Sequence, residues 1–113
     1  MYQIQNLNSN AGQKQKLFLP DGSFMTFSIV FKPMQFGWFI RDLTYGDFNV
    51  KNVRVVTSPN ILYQFKNVIP FGMACYAEQN REPMFAEDFE SGKCNLFILS
   101  EEEVEELAEI YSG

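Results

Sequence analysis

A chain of 113 residues, 46% hydrophobic and 16% aromatic, has material for one packed core and too little for two. Its 12 Phe, 5 Tyr and single Trp exclude a disordered polymer, whose composition is poor in aromatics. Histidine is absent, which rules out Ser–His and Cys–His nucleophile pairs and the commonest general base, and a net charge of −5 disfavours a phosphate-rich partner.

In chain order, Tyr2–Leu7 alternates weakly and Asn8–Gly12 is rich in turn formers, so a short strand is expected before a second one over Lys14–Leu19. Met1–Asn6 lacks the basic start and apolar middle of a signal peptide, and no apolar run approaches the roughly 18 residues that span a bilayer. A product made and kept in a cytoplasm is therefore expected, without membrane association. Pro20-Asp21-Gly22-Ser23 predicts a hairpin turn with Gly22 at positive φ, pairing Lys16–Leu19 with the strand Phe24–Phe31. Within that strand Met25, Phe27, Ile29 and Phe31 share one face, and Phe24, Thr26, Ser28 and Val30 the other.

Lys32-Pro33-Met34-Gln35 ends this strand, and Phe36–Leu43 is the next. Strict alternation there puts Trp38 and Ile40 on one face and Phe39 and Leu43 on the other. Thr44–Asp47 predicts a turn, Phe48–Thr57 a Val-rich strand, and Ser58–Phe65 a short helical turn after Pro59. Phe71–Glu78 and Lys93–Leu99 read as strands around a turn-rich acidic loop, with a helical turn over Phe85–Phe89. The fold class expected is mainly β: a small antiparallel sandwich or barrel-like domain over residues 1–113, closed by a C-terminal α-helix over 101–111.

That helix has the clearest local signal. Ser100 is an N-cap, Glu103 completes a capping box, and the glutamates of the first turn favour the positive end of the helix dipole. Val104, Leu107, Ala108 and Tyr111 form one apolar stripe at helical spacing. Charge is also divided along the chain. Residues 1–66 hold seven basic and three acidic side chains (net +4), residues 67–113 two basic and eleven acidic (net −9), together −5.

Little in this chain carries bond-making chemistry, so no enzyme is expected. Cys75 and Cys94 lie in apolar contexts and read as reduced core thiols, and two Cys without His cannot complete a zinc site. Glu87, Asp88 and Glu90 read as a structural or solvated loop rather than a general acid and base. The glycines are dispersed, with no phosphate-cradling loop, and no cofactor is expected. Lys32, Arg41, Lys51 and Arg54 interleave with aromatics as in single-strand nucleic-acid binders, although the overall acidity opposes that use.

Trp38-Phe39 in an apolar strand, Pro59 followed by Ile61-Leu62, and Asp88-Phe89 before the closing strand occur in the order found in the phage baseplate plug family, typified by the cyanophage baseplate plug. Over roughly residues 14–100 the chain resembles that family, with Ile61-Leu62 standing where the family has Leu-Leu. The resemblance implies a non-enzymatic structural protein of a phage or prophage-derived contractile tail. It would sit in the virion baseplate, plugging or lining the hub at the end of the tail tube, in a hetero-oligomeric assembly with hub or tail-tube proteins. The alternative is a small binding or adaptor module, inhibitor-like or a single-strand nucleic-acid binder. Under either reading the partner-facing candidates are Phe24, Val30, Phe39 and Leu43 as apolar contacts, Lys51 and Arg54 as steering charges, and Glu101, Glu102, Glu105 and Glu109 as an acidic pole.

Overall fold

The period-two pattern is realised as two antiparallel sheets in the computed structural model, which describes residues 1–8, 12–19 and 21–112, with Tyr111 and Ser112 by backbone alone. One sheet runs β2 (Gly12–Phe18), β3 (Phe24–Lys32), β4 (Gly37–Tyr45) and β5 (Phe48–Arg54) as a meander. The other has the order β1 (Tyr2–Gln3), β7 (Cys94–Ser100), β6 (Phe71–Ala77). Helix α1 (Glu101–Ser112) follows β7 directly. The fold is thus mainly β with a C-terminal helix, as the pattern predicts. No helix is long and apolar enough to cross a membrane among the described residues.

Local chemistry fixes the turns. Gly22 takes φ +89°, a region closed to most L-residues, and the Asp21 carboxylate accepts from the backbone N–H of Ser23 at 2.9 Å. The β2–β3 pairing then runs without a slip from Phe18 opposite Phe24 to Gly12 opposite Val30. Because the register is regular, Met25, Phe27 and Ile29 all point inward and are fully buried, while Phe24, Thr26, Ser28 and Val30 line the outer face.

The β4 strand departs from strict alternation. Ile40 pairs with Ile29 but Asp42 pairs with Ser28, so Arg41 is an extra residue in a β-bulge. On the other side Ile40 faces Val53 and Asp42 faces Lys51, leaving Asn52 as the matching extra residue of β5, at φ +59°. The bulge shifts the phase by one. Leu43 therefore points into the core with 0% exposure, which corrects its assignment to the partner-facing side. Without the bulge, alternation from Trp38 and Ile40 would bury the Asp42 carboxylate, a far costlier arrangement.

The core lies between the sheets. Met25, Phe27, Ile29, Trp38, Ile40 and Leu43 meet Phe71, Met73, Cys75, Cys94, Leu96 and Ile98, each large side chain contributing about 1.5–3 kcal/mol of burial. Trp38 is fully buried, its ring 5.3 Å from Phe89 in a T-shaped contact, and its indole N–H donates to the Phe85 carbonyl at 3.0 Å. Cys75 and Cys94 are buried free thiols, and burial pushes them up to about 12 and about 11. Such thiols are not nucleophiles at neutral pH.

The acidic loop is organised around one buried carboxylate. Asp88 is 1% exposed and takes a bidentate pair from Arg81 at 3.0 and 2.6 Å plus the backbone N–H groups of Met84 and Phe85, both at 2.9 Å. Burial raises its pKa, but the Arg81 and backbone hydrogen bonds outweigh that and hold the carboxyl below its ordinary value. Asp88 is therefore structural, and it fixes the loop that receives the Trp38 indole.

The capping box forms as predicted: Ser100 Oγ accepts from Glu103 N–H at 3.2 Å and Glu103 Oε1 accepts from Ser100 N–H at 3.0 Å. Val104 and Leu107 then pack on Ala74, Phe97 and Leu99, the outer face of the three-stranded sheet. The layers run helix, three-stranded sheet, core, four-stranded sheet. This order decides where the charges go.

Candidate partner-binding face

Strands β2 to β5 contain Lys14, Lys16, Lys32, Arg41, Lys51 and Arg54 but a single acid, Asp42. The register gathers them on the outer face of the four-stranded sheet. Lys14, Ser28, Asp42 and Lys51 form one row across it, and Gly12, Val30, Phe39 and Arg54 the next. With strands about 4.8 Å apart, Lys14 and Lys51 lie about 14 Å from each other across the sheet. Arg41, at the bulge, joins Ser28, Asp42 and Lys51 around a shallow depression.

Aromatic rings hold several of these cations in place. Lys16 Nζ lies 4.2 Å from the ring centroid of Phe24 and 5.4 Å from that of Phe18. Lys32 Nζ and Arg54 Cζ lie 4.5 and 5.2 Å from the Phe39 centroid. Each such contact is worth about 0.5–1 kcal/mol at an exposed site. Arg54 also reaches the carbonyls of Gln35 and Phe36 at 3.4 Å, and its Nη2 passes so close to Gly37 that a Cβ there would sit 2.7 Å away. A side chain at position 37 would push the flexible Arg54 guanidinium out of this position.

The candidates named from sequence thus separate. Phe24 is 49% exposed and Val30 half-buried on this face, and Lys51 and Arg54 are exposed on it. Phe39 is on the same face but only 9% exposed, because its own cations cover it, which corrects its reading as an open contact. Leu43 lies in the core and is not part of the site. Glu101, Glu102, Glu105 and Glu109 are exposed on α1, together with Glu106, in the opposite outer layer. The structure brings the basic and the acidic groups to two separate poles.

No protein-family model and no curated protein matches this chain. The site therefore rests on its own geometry.

Sequence reasoning passed over Lys14 and Lys16 as site residues, and the apolar residues at the strand ends. Phe18 is exposed beside Phe24, and Met34 and Phe36 are 92% and 68% exposed on the β3–β4 connection. Phe36 holds φ +51°, a left-handed conformation that costs a bulky residue on the order of 1 kcal/mol. The available signal was their position next to turn formers, where a large apolar side chain has no strand partner to cover it. Among the described residues, no group of three or more His, Cys, Asp or Glu is placed to hold a metal.

Proposed function

We propose that this chain is a structural component of a phage or phage-like contractile-tail baseplate, held among hub or tail-tube subunits by the outer face of its four-stranded sheet. The observation that carries the reading is that face itself: Lys14, Lys16, Lys32, Arg41, Lys51 and Arg54 against Asp42, with exposed Phe18 and Phe24 at one end. Ordered cations around apolar anchors suit an acidic protein surface, because charge complementarity sets orientation and aromatic burial supplies affinity. The work is interfacial, with no bond made or broken. The order of Trp38-Phe39, Pro59 with Ile61-Leu62 and Asp88-Phe89 is what directs the reading to a baseplate plug.

The test is co-expression with tail-hub and tail-tube proteins of a contractile tail, followed by gel filtration. Co-elution that the double substitution Lys14→Gln, Lys51→Gln abolishes supports the reading. A chain that elutes alone from all of them overturns it.

A second reading, a single-strand nucleic-acid binder, is favoured by the same interleaving of cations and phenylalanines. Against it, the rings of Phe24 and Phe39, on which a base would stack, already carry Lys16, Lys32 and Arg54. Fluorescence anisotropy with labelled oligonucleotides at two salt concentrations separates the two, since phosphate binding falls steeply with salt. Tight, salt-sensitive binding would favour the second reading.

A further inference from the structure

We infer that copies of this chain associate head to tail, the acidic outer face of α1 in one copy lying on the cationic sheet face of the next. The inference rests on the sheet face being a partner surface, and it names a second copy as an occupant. Three observations carry it.

First, the poles sit on opposite outer layers, with the three-stranded sheet and the core between them, so one copy cannot bring its own helix to its own basic face. The unmet charge of each pole is available only to another molecule. Second, the sign and number are complementary. Glu101, Glu102, Glu105, Glu106 and Glu109 are exposed on α1, and Lys14, Lys16, Lys32, Arg41, Lys51 and Arg54 lie on the sheet face. Asp42 is the only acid in those strands, and the cations beside the helix are the N-terminal ammonium, which pairs with Glu103 at 2.6 Å and leaves the five exposed glutamates aside, and Lys66, beside Glu101 and Glu105. Third, the dimensions agree. Glu102, Glu105, Glu106 and Glu109 fall at i, i+3, i+4 and i+7 on one side of the helix and span about 10 Å, at about 1.5 Å per residue. The row from Lys14 to Lys51 spans about 14 Å.

The cations are also partly fixed before contact. Lys16, Lys32 and Arg54 rest on rings, so less side-chain freedom is lost when a carboxylate arrives. Such a contact is heterologous: each copy uses one surface for the copy ahead and another for the copy behind, giving a ring if the rotation closes and an open string if it does not. One helix on one sheet face is small by the standard of stable interfaces, so association is concentration-dependent and weakened by salt.

The experiment is sedimentation equilibrium of the full chain over a range of concentrations, at about 20 mM and about 500 mM salt, where the Debye length falls from about 20 Å to about 4 Å. The expected result is a mass that rises above 13.1 kDa with concentration at low salt and returns to 13.1 kDa at high salt. Two surface variants then test the geometry: Lys14→Gln with Lys51→Gln, and Glu102→Gln with Glu105→Gln. Each alone is expected to stay monomeric, with unchanged circular dichroism. Mixed in equal amounts they are expected to stop at two copies, because each retains one competent surface and only one pairing is left. A wild-type chain that stays at 13.1 kDa in every condition overturns the inference, as does a mixture that grows beyond two copies. Capture by hub and tube proteins is read separately. A monomer that is captured refutes self-association alone, and a self-associating chain that is not captured refutes the baseplate reading alone.

Discussion

Replacing Asp88 by alanine removes the acceptor of four hydrogen bonds, two from the Arg81 guanidinium and two from the amides of Met84 and Phe85. Hydrogen bonds to charged groups are worth about 1.5–3 kcal/mol each, but the four share one carboxylate and do not add. Arg81 keeps 27% of its side-chain surface exposed, so it can turn to water, whereas the two amides lose their partner. The expected loss is about 3 kcal/mol, a large share of the roughly 5–15 kcal/mol that a small domain possesses. With an m-value of about 1.5 kcal/mol/M, the urea midpoint should fall by about 2 M. Asp88→Asn, which keeps the shape and a neutral acceptor, should lose about half as much.

The pH dependence supplies an independent reading of the same carboxylate. Its folded pKa is depressed, so its contribution is fully present above the unfolded value of about 3.9 and is lost as pH falls through the folded value. The stability gap between wild type and Asp88→Asn should therefore be constant from about pH 7 to 5 and narrow progressively as pH falls below about 4. A loss under about 1 kcal/mol for Asp88→Ala, or a gap that does not narrow as pH falls below about 4, would refute the reasoning.

Leu43→Ala should destabilise by about 3 kcal/mol because it opens a cavity between the sheets, while Val30→Ala on the outer face should cost under about 1 kcal/mol; equal urea midpoints would mean that the bulge at Arg41 does not set the phase of β4. Ser100→Ala removes the acceptor for the Glu103 amide and should cost about 1 kcal/mol, read by thermal melts followed at 222 nm. Cys75 and Cys94 should resist a thiol reagent such as Ellman's in the native protein and react fully in guanidinium, because only the thiolate attacks and both thiols are held protonated by burial. Fast native labelling of either would contradict their placement.

The elements that depend on near neighbours were legible in the sequence. The hairpin needs only Asp21, Gly22 and Ser23, and the helix start needs only Ser100 and Glu103, so each is written within four residues. The inward face of β3 was equally plain, since Met25, Phe27 and Ile29 keep unbroken alternation. Leu43 was misread because a bulge is decided by pairing with β3 and β5, not by β4 alone. Its trace in the sequence is that strict alternation would have buried Asp42. Asp88 looked like one more loop acid because its partner Arg81 is seven residues away in a loop with no regular helix or strand between them to bring the two together. Phe39 looked open because a neighbouring cation covers it only after the chain has turned at Pro33–Gln35 and Arg54 has returned on β5.

What the sequence alone determined is the two-state patterning of this chain: period-two strands, one capped helix, and a charge that is positive over residues 1–66 and negative over 67–113. Those are properties of neighbours and of sums, and they do not depend on which strand lies beside which. Only the tertiary structure turned the divided charge into two surfaces. The meander collects Lys14, Lys16, Lys32, Arg41, Lys51 and Arg54 on one sheet, and docking of Val104 and Leu107 puts the glutamates on the far side of the other. Burial of the apolar faces between the sheets leaves each set of charges nowhere to go but outward, in opposite directions.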